Sequence, residues 1–161
     1  MCKEQGGLAG SKAGLLAVGL IILSIASPAW GALGGDAGSI EADRVHMQGT
    51  RTMRAAESFA VHEIQAANGT VVREFVSNEG KVFAVAWHGP WQPDMRQLLG
   101  SYFDQYARAA QSRGGARMGR RPVMIDEAGL VVQISGHMRA FAGRAYVPEM
   151  LPAGVQVESI Q

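Results

Sequence analysis

The sequence has 161 residues, of which 47% are hydrophobic and 18% charged, with 15 lysine and arginine residues against 14 aspartate and glutamate residues. This length fits one domain, and the composition excludes a membrane-rich, a disordered or a disulfide-stapled chain. The near balance of charges gives no general electrostatic reason to bind nucleic acid.

Residues 1–31 have the organisation of a secretory signal peptide. Lys3 and Lys12 precede an apolar run from Ala13 to Ile25, which ends in small residues and a proline. The run is shorter than the roughly 20 residues that a membrane-spanning helix needs. We therefore expect cleavage before Ala32, with an uncleaved membrane anchor as the alternative. The signal contains the basic excess and the only cysteine, so the rest is neutral and has no thiol for a disulfide, a nucleophile or a metal site.

Residues 32–56 are rich in glycine and small polar residues and have no sustained hydrophobic period, which indicates a loose N-terminal arm with room for one short element. Residues 57–155 predict a single α+β domain. Its first part alternates like strands over residues 58–64, 70–77 and 81–87, with turns at Asn68-Gly69 and Asn78-Glu79-Gly80. Three antiparallel strands are therefore expected here.

An amphipathic helix is predicted after these strands. Pro93 and Asp94 are typical of a first helical turn. Apolar or small residues then recur at helical spacing, at Met95, Leu98, Leu99, Tyr102, Phe103, Tyr106, Ala107 and Ala110. We expect this stripe to pack on the sheet.

Strand patterns resume over residues 122–125, 130–135 and 138–147. The order predicts an α+β fold with an antiparallel sheet of five to six strands. Along the chain, a three-stranded meander is followed by one amphipathic helix and then by two to three strands. The helix is expected on one face of the sheet, and residues 156–161 as a frayed C-terminal tail.

The candidate catalytic residues are His88, Asp94 and His137, which lie in or beside predicted loops. They can be interpreted as the His/carboxylate cluster of a small hydrolase or metal-dependent enzyme, or as turn residues that hydrogen-bond locally. No histidine pair has helical metal-ligand spacing, and no nucleophile elbow or phosphate-binding loop occurs. We therefore predict no metal site and no cofactor.

Four arginines, Arg113, Arg117, Arg120 and Arg121, form a glycine-spaced stretch without acidic residues. Guanidinium groups bind carboxylates and phosphates, so this stretch predicts binding of an anionic partner, although a solvated linker has the same composition. Later in the chain, Arg139 and Arg144 fall on opposite faces of a predicted strand. One of these two is expected to be partly buried against an acidic residue.

Two tryptophans, Trp87 and Trp91, flank the sequence His88-Gly89-Pro90. Two indoles around such a turn can form an exposed platform for a sugar or a peptide. The alternative is a packed corner in which Trp91 fixes the loop to the start of the helix.

Separated motifs carry a resemblance to a known family. They are Ala32-Leu33-Gly34-Gly35-Asp36, residues 72–77 through 82–87, residues 93–100, and Gly136-His137-Met138-Arg139 through Pro152. Over nearly all of residues 32–155, the chain resembles the exported bacterial proteins grouped as Domain of Unknown Function family 2844. The resemblance implies a Gram-negative bacterial origin and export, and it brings no activity, cofactor or catalytic residue.

These patterns lead to one functional expectation. We expect an exported protein of the periplasm or outer envelope that is a non-enzymatic binding or assembly module for an envelope protein or an anionic envelope component. Secretion from the cell stays open as a destination. The alternatives are the small enzyme and a structural protein without a ligand. Neither nucleic acid binding nor a transmembrane segment after signal cleavage is expected.

Overall fold

The computed structural model describes residues 32–112, 122–127 and 129–161. Its helices are α1 (Ala37–His46), α2 (Met95–Leu99) and α3 (Phe103–Ser112), and a 3-10 turn at Gly100–Tyr102 joins α2 to α3. Its strands are β1 (Thr50–Ala55), β2 (Phe59–Gln65), β3 (Val71–Ser77), β4 (Val82–Gly89), β5 (Val123–Glu127), β6 (Leu130–His137) and β7 (Ala140–Tyr146). Residues 148–161 are called the C-terminal segment and contain 3-10 turns at Pro148–Met150 and Val157–Ser159.

The seven strands form one antiparallel sheet in the order β1-β2-β3-β4-β7-β6-β5. Two meanders, β1 to β4 and β5 to β7, are joined where β4 pairs with β7. Gly69 and Gly80 have φ angles of 86° and 77°, the left-handed conformation that their hairpin turns require. Both predicted turns therefore depend on glycine.

Alternation along the strands gives the sheet two differently covered faces. The helix face packs against α1, α2 and α3, and its buried cluster includes Ile40, Val72, Val85, Leu98, Leu99 and Val132. The opposite face, called the tail face, is covered in part by the C-terminal segment. Its buried cluster contains Phe75, Phe83, Ala84, Ala86 and Ile160.

The predicted α+β fold with five to six strands was wrong in the number of strands and in the proportion of helix to strand. The described chain is mostly β and has seven strands. The strand that the sequence did not reveal is β1. All six of its residues are exposed, and it joins the sheet by pairing with β2 at the edge. Without a buried side there is no apolar alternation to mark it.

Regular structure also occupies part of the predicted N-terminal arm. In α1, Asp36 caps the helix by accepting a hydrogen bond from the Gly38 amide at 2.9 Å. The buried positions of α1 are Ser39, Ile40 and Asp43. Because two of these three side chains are polar, the helix has no apolar stripe.

The remaining differences concern the helix and the chain end. The predicted single helix spans residues 95–112 but is interrupted after Leu99, where Gly100 has a φ of 50°. At the other end, Ile160 is fully buried, although the polar sequence around it predicted a frayed tail. The proposed signal peptide, residues 1–31, lies outside the described residues.

Candidate binding site on the tail face

A row of mostly polar side chains crosses the tail face from strand to strand. The register pairs Glu63 with Arg73, Arg73 with Ala86, Ala86 with Arg144, and Arg144 with Gln133. Directly paired residues of antiparallel strands share a face at about 5 Å between their Cβ atoms. The small side chain of Ala86 therefore separates two guanidinium groups.

Both arginines of this row hold the C-terminal segment. Arg144 Nη1 donates to the carbonyl oxygens of Val157 and Ile160, at 2.8 Å and 3.3 Å. Arg73 Nη1 donates to the main-chain oxygen of Gln161 at 2.8 Å. The segment is thus fixed through its main chain, while the side chain of Ile160 fills the core below it.

The two guanidinium groups differ in how their charge is compensated. Arg73 Nε forms an ion pair with Glu63 Oε2 at 2.7 Å. Arg144 Nε donates instead to the neutral Gln133 Oε1 at 2.8 Å, and Arg144 pairs with no carboxylate among the described residues. Because a guanidinium group stays charged at any physiological pH, the positive charge of Arg144 is not neutralised within this part of the chain.

A groove of about 640 Å³ opens beside Arg144. Its centre is the cross-strand row His88, Ala142 and Ser135, and its sides include Met124 and Ile160. Arginine and histidine contribute to the lining, whereas aspartate and glutamate do not. The groove therefore combines apolar surface with positive charge.

Gly143 in β7 allows the packing that supports this groove. A Cβ atom at position 143 would lie only 2.3 Å from Cζ2 of Trp87, so the indole occupies the space of the missing side chain. Trp87 is 2% exposed. Any larger residue at position 143 would displace either the indole or the strand.

The predicted exposed platform of Trp87 and Trp91 does not form. Trp87 belongs to the buried cluster of the helix face, whereas Trp91 is 59% exposed in the loop after β4. The two indoles therefore do not share one exposed surface. The four arginines of the predicted basic stretch, Arg113, Arg117, Arg120 and Arg121, lie outside the described residues.

The candidate catalytic residues lie on separate elements. His88 in β4 lines the groove. Asp94 caps α2, with Oδ1 accepting from the amides of Arg96 at 2.8 Å and Gln97 at 3.3 Å. His137 ends β6 and is exposed. Within residues 32–112, 122–127 and 129–161, no group of three or more His, Cys, Asp or Glu side chains is placed to hold a metal ion.

Sequence patterns pointed to only part of this site. Arg144 is partly buried, as expected for one member of the Arg139 and Arg144 pair, but its partners are an amide and main-chain carbonyl groups. Arg73 was not singled out. Its position two residues before Phe75 on a strand places it on the same face as that aromatic side chain, and this was the available signal.

A buried pair of carboxyl groups lies on the helix face. Asp43 of α1 and Glu74 of β3 are fully buried within hydrogen-bonding reach of each other, and Gln97 Nε2 donates to Asp43 Oδ1. Burial and the neighbouring charge of Asp43 raise the pKa of Glu74 from 4.5 to about 9, and burial also raises the pKa of Asp43. The pair therefore retains a proton at neutral pH, and that proton allows one carboxyl group to donate to the other.

The described chain is thus a mostly β domain whose seven-stranded antiparallel sheet has helices on one face and a positively charged, partly apolar groove on the other. The chain belongs to the family described as Protein of unknown function (DUF2844), whose model matches residues 29–160, which confirms the resemblance found in the sequence. Comparisons with curated proteins and with solved structures gave no match. Among the described residues, no helix has the length and apolar character needed to cross a membrane.

Proposed function

We propose that this protein is an exported binding module that holds an anionic amphipathic molecule, an acyl chain ending in a carboxylate or a phosphate, in the tail-face groove. The observation that carries the proposal is Arg144. Its guanidinium group is partly buried, has no carboxylate partner among the described residues, and borders a groove without acidic side chains.

The size and lining of the groove support such a ligand. A volume of about 640 Å³ falls within the range of small-molecule sites, which combine apolar walls with a few polar groups that fix orientation. Met124, Ala142 and Ile160 supply apolar contacts for an acyl chain. None of the side chains in the described lining carries a negative charge that would repel an anionic head group.

The hydrogen bonds of Arg144 prepare it for an anion. Its Nε and Nη1 atoms donate to Gln133 and to the C-terminal segment, and no described residue accepts from its Nη2 atom. The guanidinium plane is therefore held in place before a ligand arrives, which lowers the cost of ordering it on binding. The open Nη2 atom can donate a charge-assisted hydrogen bond to a carboxylate or phosphate oxygen.

Titration calorimetry with decanoate, decanol and acetate separates the contributions of charge and chain. Decanoate is expected to bind, and decanol roughly ten- to a hundredfold more weakly, because a hydrogen bond to a charged group contributes roughly 1.5–3 kcal/mol. Acetate lacks the chain and is expected to give no measurable heat. Decyl phosphate as a fourth probe shows which anionic head group is preferred.

The Arg144→Gln variant is expected to lose the preference for decanoate over decanol. Arg144→Lys retains the charge and should keep part of that preference, provided that thermal melting shows both variants folded. Arg54→Gln is the matched control, since Arg54 is an exposed arginine on β1 at the sheet edge. Equal binding of decanoate and decanol by the unmodified protein, or an unchanged preference in Arg144→Gln, would contradict the proposal.

Export to the periplasm or outer envelope is part of the same proposal. Residues 1–31 support export because they have a charged start, an apolar run and an end rich in small residues. The position of the expected cut also supports it. Ala32 and Leu33 are buried, and their amides donate to the carbonyl oxygens of Gln97 and Leu98 at 3.2 Å and 3.0 Å. A cut before Ala32 therefore leaves these contacts in the mature chain.

A further inference from the structure

A second cleft, of about 300 Å³, lies away from the tail-face groove. The end of α1, the β2–β3 hairpin and the loop between β4 and α2 surround it. We call it the hairpin cleft. Its polar lining consists of His46, Gln48, Asn68, Thr70, Gln92, Asp94 and Gln97. Seven of the twelve described residues that line the cleft therefore have hydrogen-bonding side chains.

Two of these side chains are held rigidly by the main chain. Asn68 Oδ1 accepts from the Thr70 amide at 2.9 Å, and Asp94 Oδ1 accepts from the amides of Arg96 and Gln97. The other polar atoms of these two groups, Asn68 Nδ2 and Asp94 Oδ2, bond to no described residue. A fixed donor and a fixed acceptor therefore border the same cleft.

Gln92 adds a polar atom that lacks a partner. Its Oε1 atom is buried and receives no hydrogen bond from the described residues. A buried acceptor without a donor costs roughly 1–3 kcal/mol. Because Gln92 lines the hairpin cleft, a rotation of its side-chain amide would bring this acceptor to a ligand hydroxyl group there and recover that cost.

An exposed tryptophan is the chain neighbour of one of these groups. Trp91 immediately precedes Gln92, and its side chain is largely exposed. Thr70, which also lines the cleft, donates from Oγ1 to the Trp91 carbonyl oxygen at 2.9 Å. The main chain of Trp91 is therefore held next to the cleft, while the side chain of Trp91 is not among those that line it.

We propose that the hairpin cleft binds a neutral saccharide. Sugar hydroxyl groups both donate and accept, which matches the amides of Asn68 and Gln92 and the carboxylate of Asp94. An indole adds apolar contact with the face of a pyranose ring. The volume lies at the lower end of the range for ligand sites, so a mono- or disaccharide is the expected size.

The test titrates the purified protein with glucose, N-acetylglucosamine, maltose and N,N′-diacetylchitobiose, up to about 10 mM because small polar ligands often bind in the millimolar range. Saturation-transfer NMR and tryptophan fluorescence report the binding. At least one sugar is expected to bind saturably. Trp91→Ala should weaken that binding about 3- to 10-fold, the effect of losing 0.5–1.5 kcal/mol of aromatic contact.

Asn68→Asp is the sharper variant, because it retains the Oδ1 acceptor that caps Thr70 and replaces the free Nδ2 donor with a charged oxygen that can only accept. Loss of sugar binding is expected in Asn68→Asp and in Gln92→Leu. The matched control is Asn78→Asp, in the exposed turn between β3 and β4. The proposal is overturned if no sugar binds saturably, or if binding is the same in both asparagine variants. Decanoate binding is measured alongside, so that failure of this site and failure of the groove are distinguished.

Discussion

The carboxyl group of Glu74 lies on the helix face of β3, on the same side as Val72. It faces Asp43 of α1. Two carboxylates in one buried site cannot both be charged without a large cost, so one of them keeps its proton. The native state therefore binds a proton that the unfolded chain would release above pH 4.5, the ordinary pKa of Glu74.

The sign of the resulting pH dependence follows from proton binding. Between pH 4.5 and about 9 the native protein holds more protons than the unfolded chain, so its free energy of unfolding falls as the pH rises. Glu74→Gln removes this titration while keeping a group that donates to Asp43. The variant is expected to gain on the order of 2–3 kcal/mol over the unmodified protein at pH 8 and much less at pH 5.

Urea denaturation at pH 5, 6.5 and 8 measures this difference. Glu79→Gln is the control, because Glu79 lies exposed in the turn between β3 and β4. It should leave the pH profile unchanged. A Glu74→Gln protein whose stability runs parallel to that of the unmodified protein from pH 5 to pH 8 would show that the pair does not hold a proton.

Side-chain chemistry was the least predictable part of this protein. The sequence predicted that one of Arg139 and Arg144 is partly buried, but it did not single out Glu74 and did not reveal the groups that Arg144 contacts. Asp43, which faces Glu74, lies on α1, and the carbonyl oxygens that Arg144 contacts lie in the C-terminal segment. Contacts between elements far apart in the chain depend on how those elements pack, which periodicity does not encode.

Among the elements, the C-terminal segment shows how a short irregular stretch completes a core. Its two anchors are the side chain of Ile160 and the main-chain oxygens held by Arg73 and Arg144. Only its last six residues, 156–161, are polar enough to predict a frayed tail. Within these six residues, Ile160 was the sign of docking.

Ile160→Ala is expected to destabilise the protein by about 2–4 kcal/mol, because the side chain is fully buried and its removal leaves a cavity next to Phe83. Thermal melting measures the loss. Val45→Ala is the control: Val45 is an aliphatic residue of α1 that is 58% exposed, so a change within about 0.5 kcal/mol is expected. Similar melting temperatures for the two variants would mean that the segment does not stabilise the fold.

Elements with one buried side were found from the sequence, and elements without one were not. The strand pairs from β2 to β4 follow the predicted alternation and turns. Strands β5 to β7 lie where strand patterns were predicted, but β6 continues to His137 and the turn to β7 is at Met138 and Arg139. By contrast, the edge strand β1 is exposed throughout, and α1 buries two polar side chains beside Ile40. Hydrophobic periodicity reports burial of apolar side chains, so neither element produces it.

For the molecule as a whole, the proposed cut before Ala32 would keep the contacts that Ala32 and Leu33 make with α2. In cells that express the full sequence with its own start, we expect a periplasmic or outer-envelope form whose N-terminal residue is Ala32. Intact-mass measurement of the fractionated protein identifies it. Ala29→Leu should block processing, because the enzyme that removes signal peptides requires a small residue three positions before the cut. A chain that keeps residues 1–31 in the cytoplasm would contradict export, and a membrane-bound chain of full mass would favour the uncleaved anchor.

The pairing of β4 with β7 has a consequence for how the chain is made. β4 is buried over most of its length, yet one of its two neighbours is the last strand in the sequence. Until β7 has been synthesised and docked, β4 presents an unpaired, apolar edge of the kind that recruits strands from other chains. Before the sheet closes, residues 82–89 therefore form an aggregation-prone edge at its future centre, and a chaperone that shields them would protect the nascent protein.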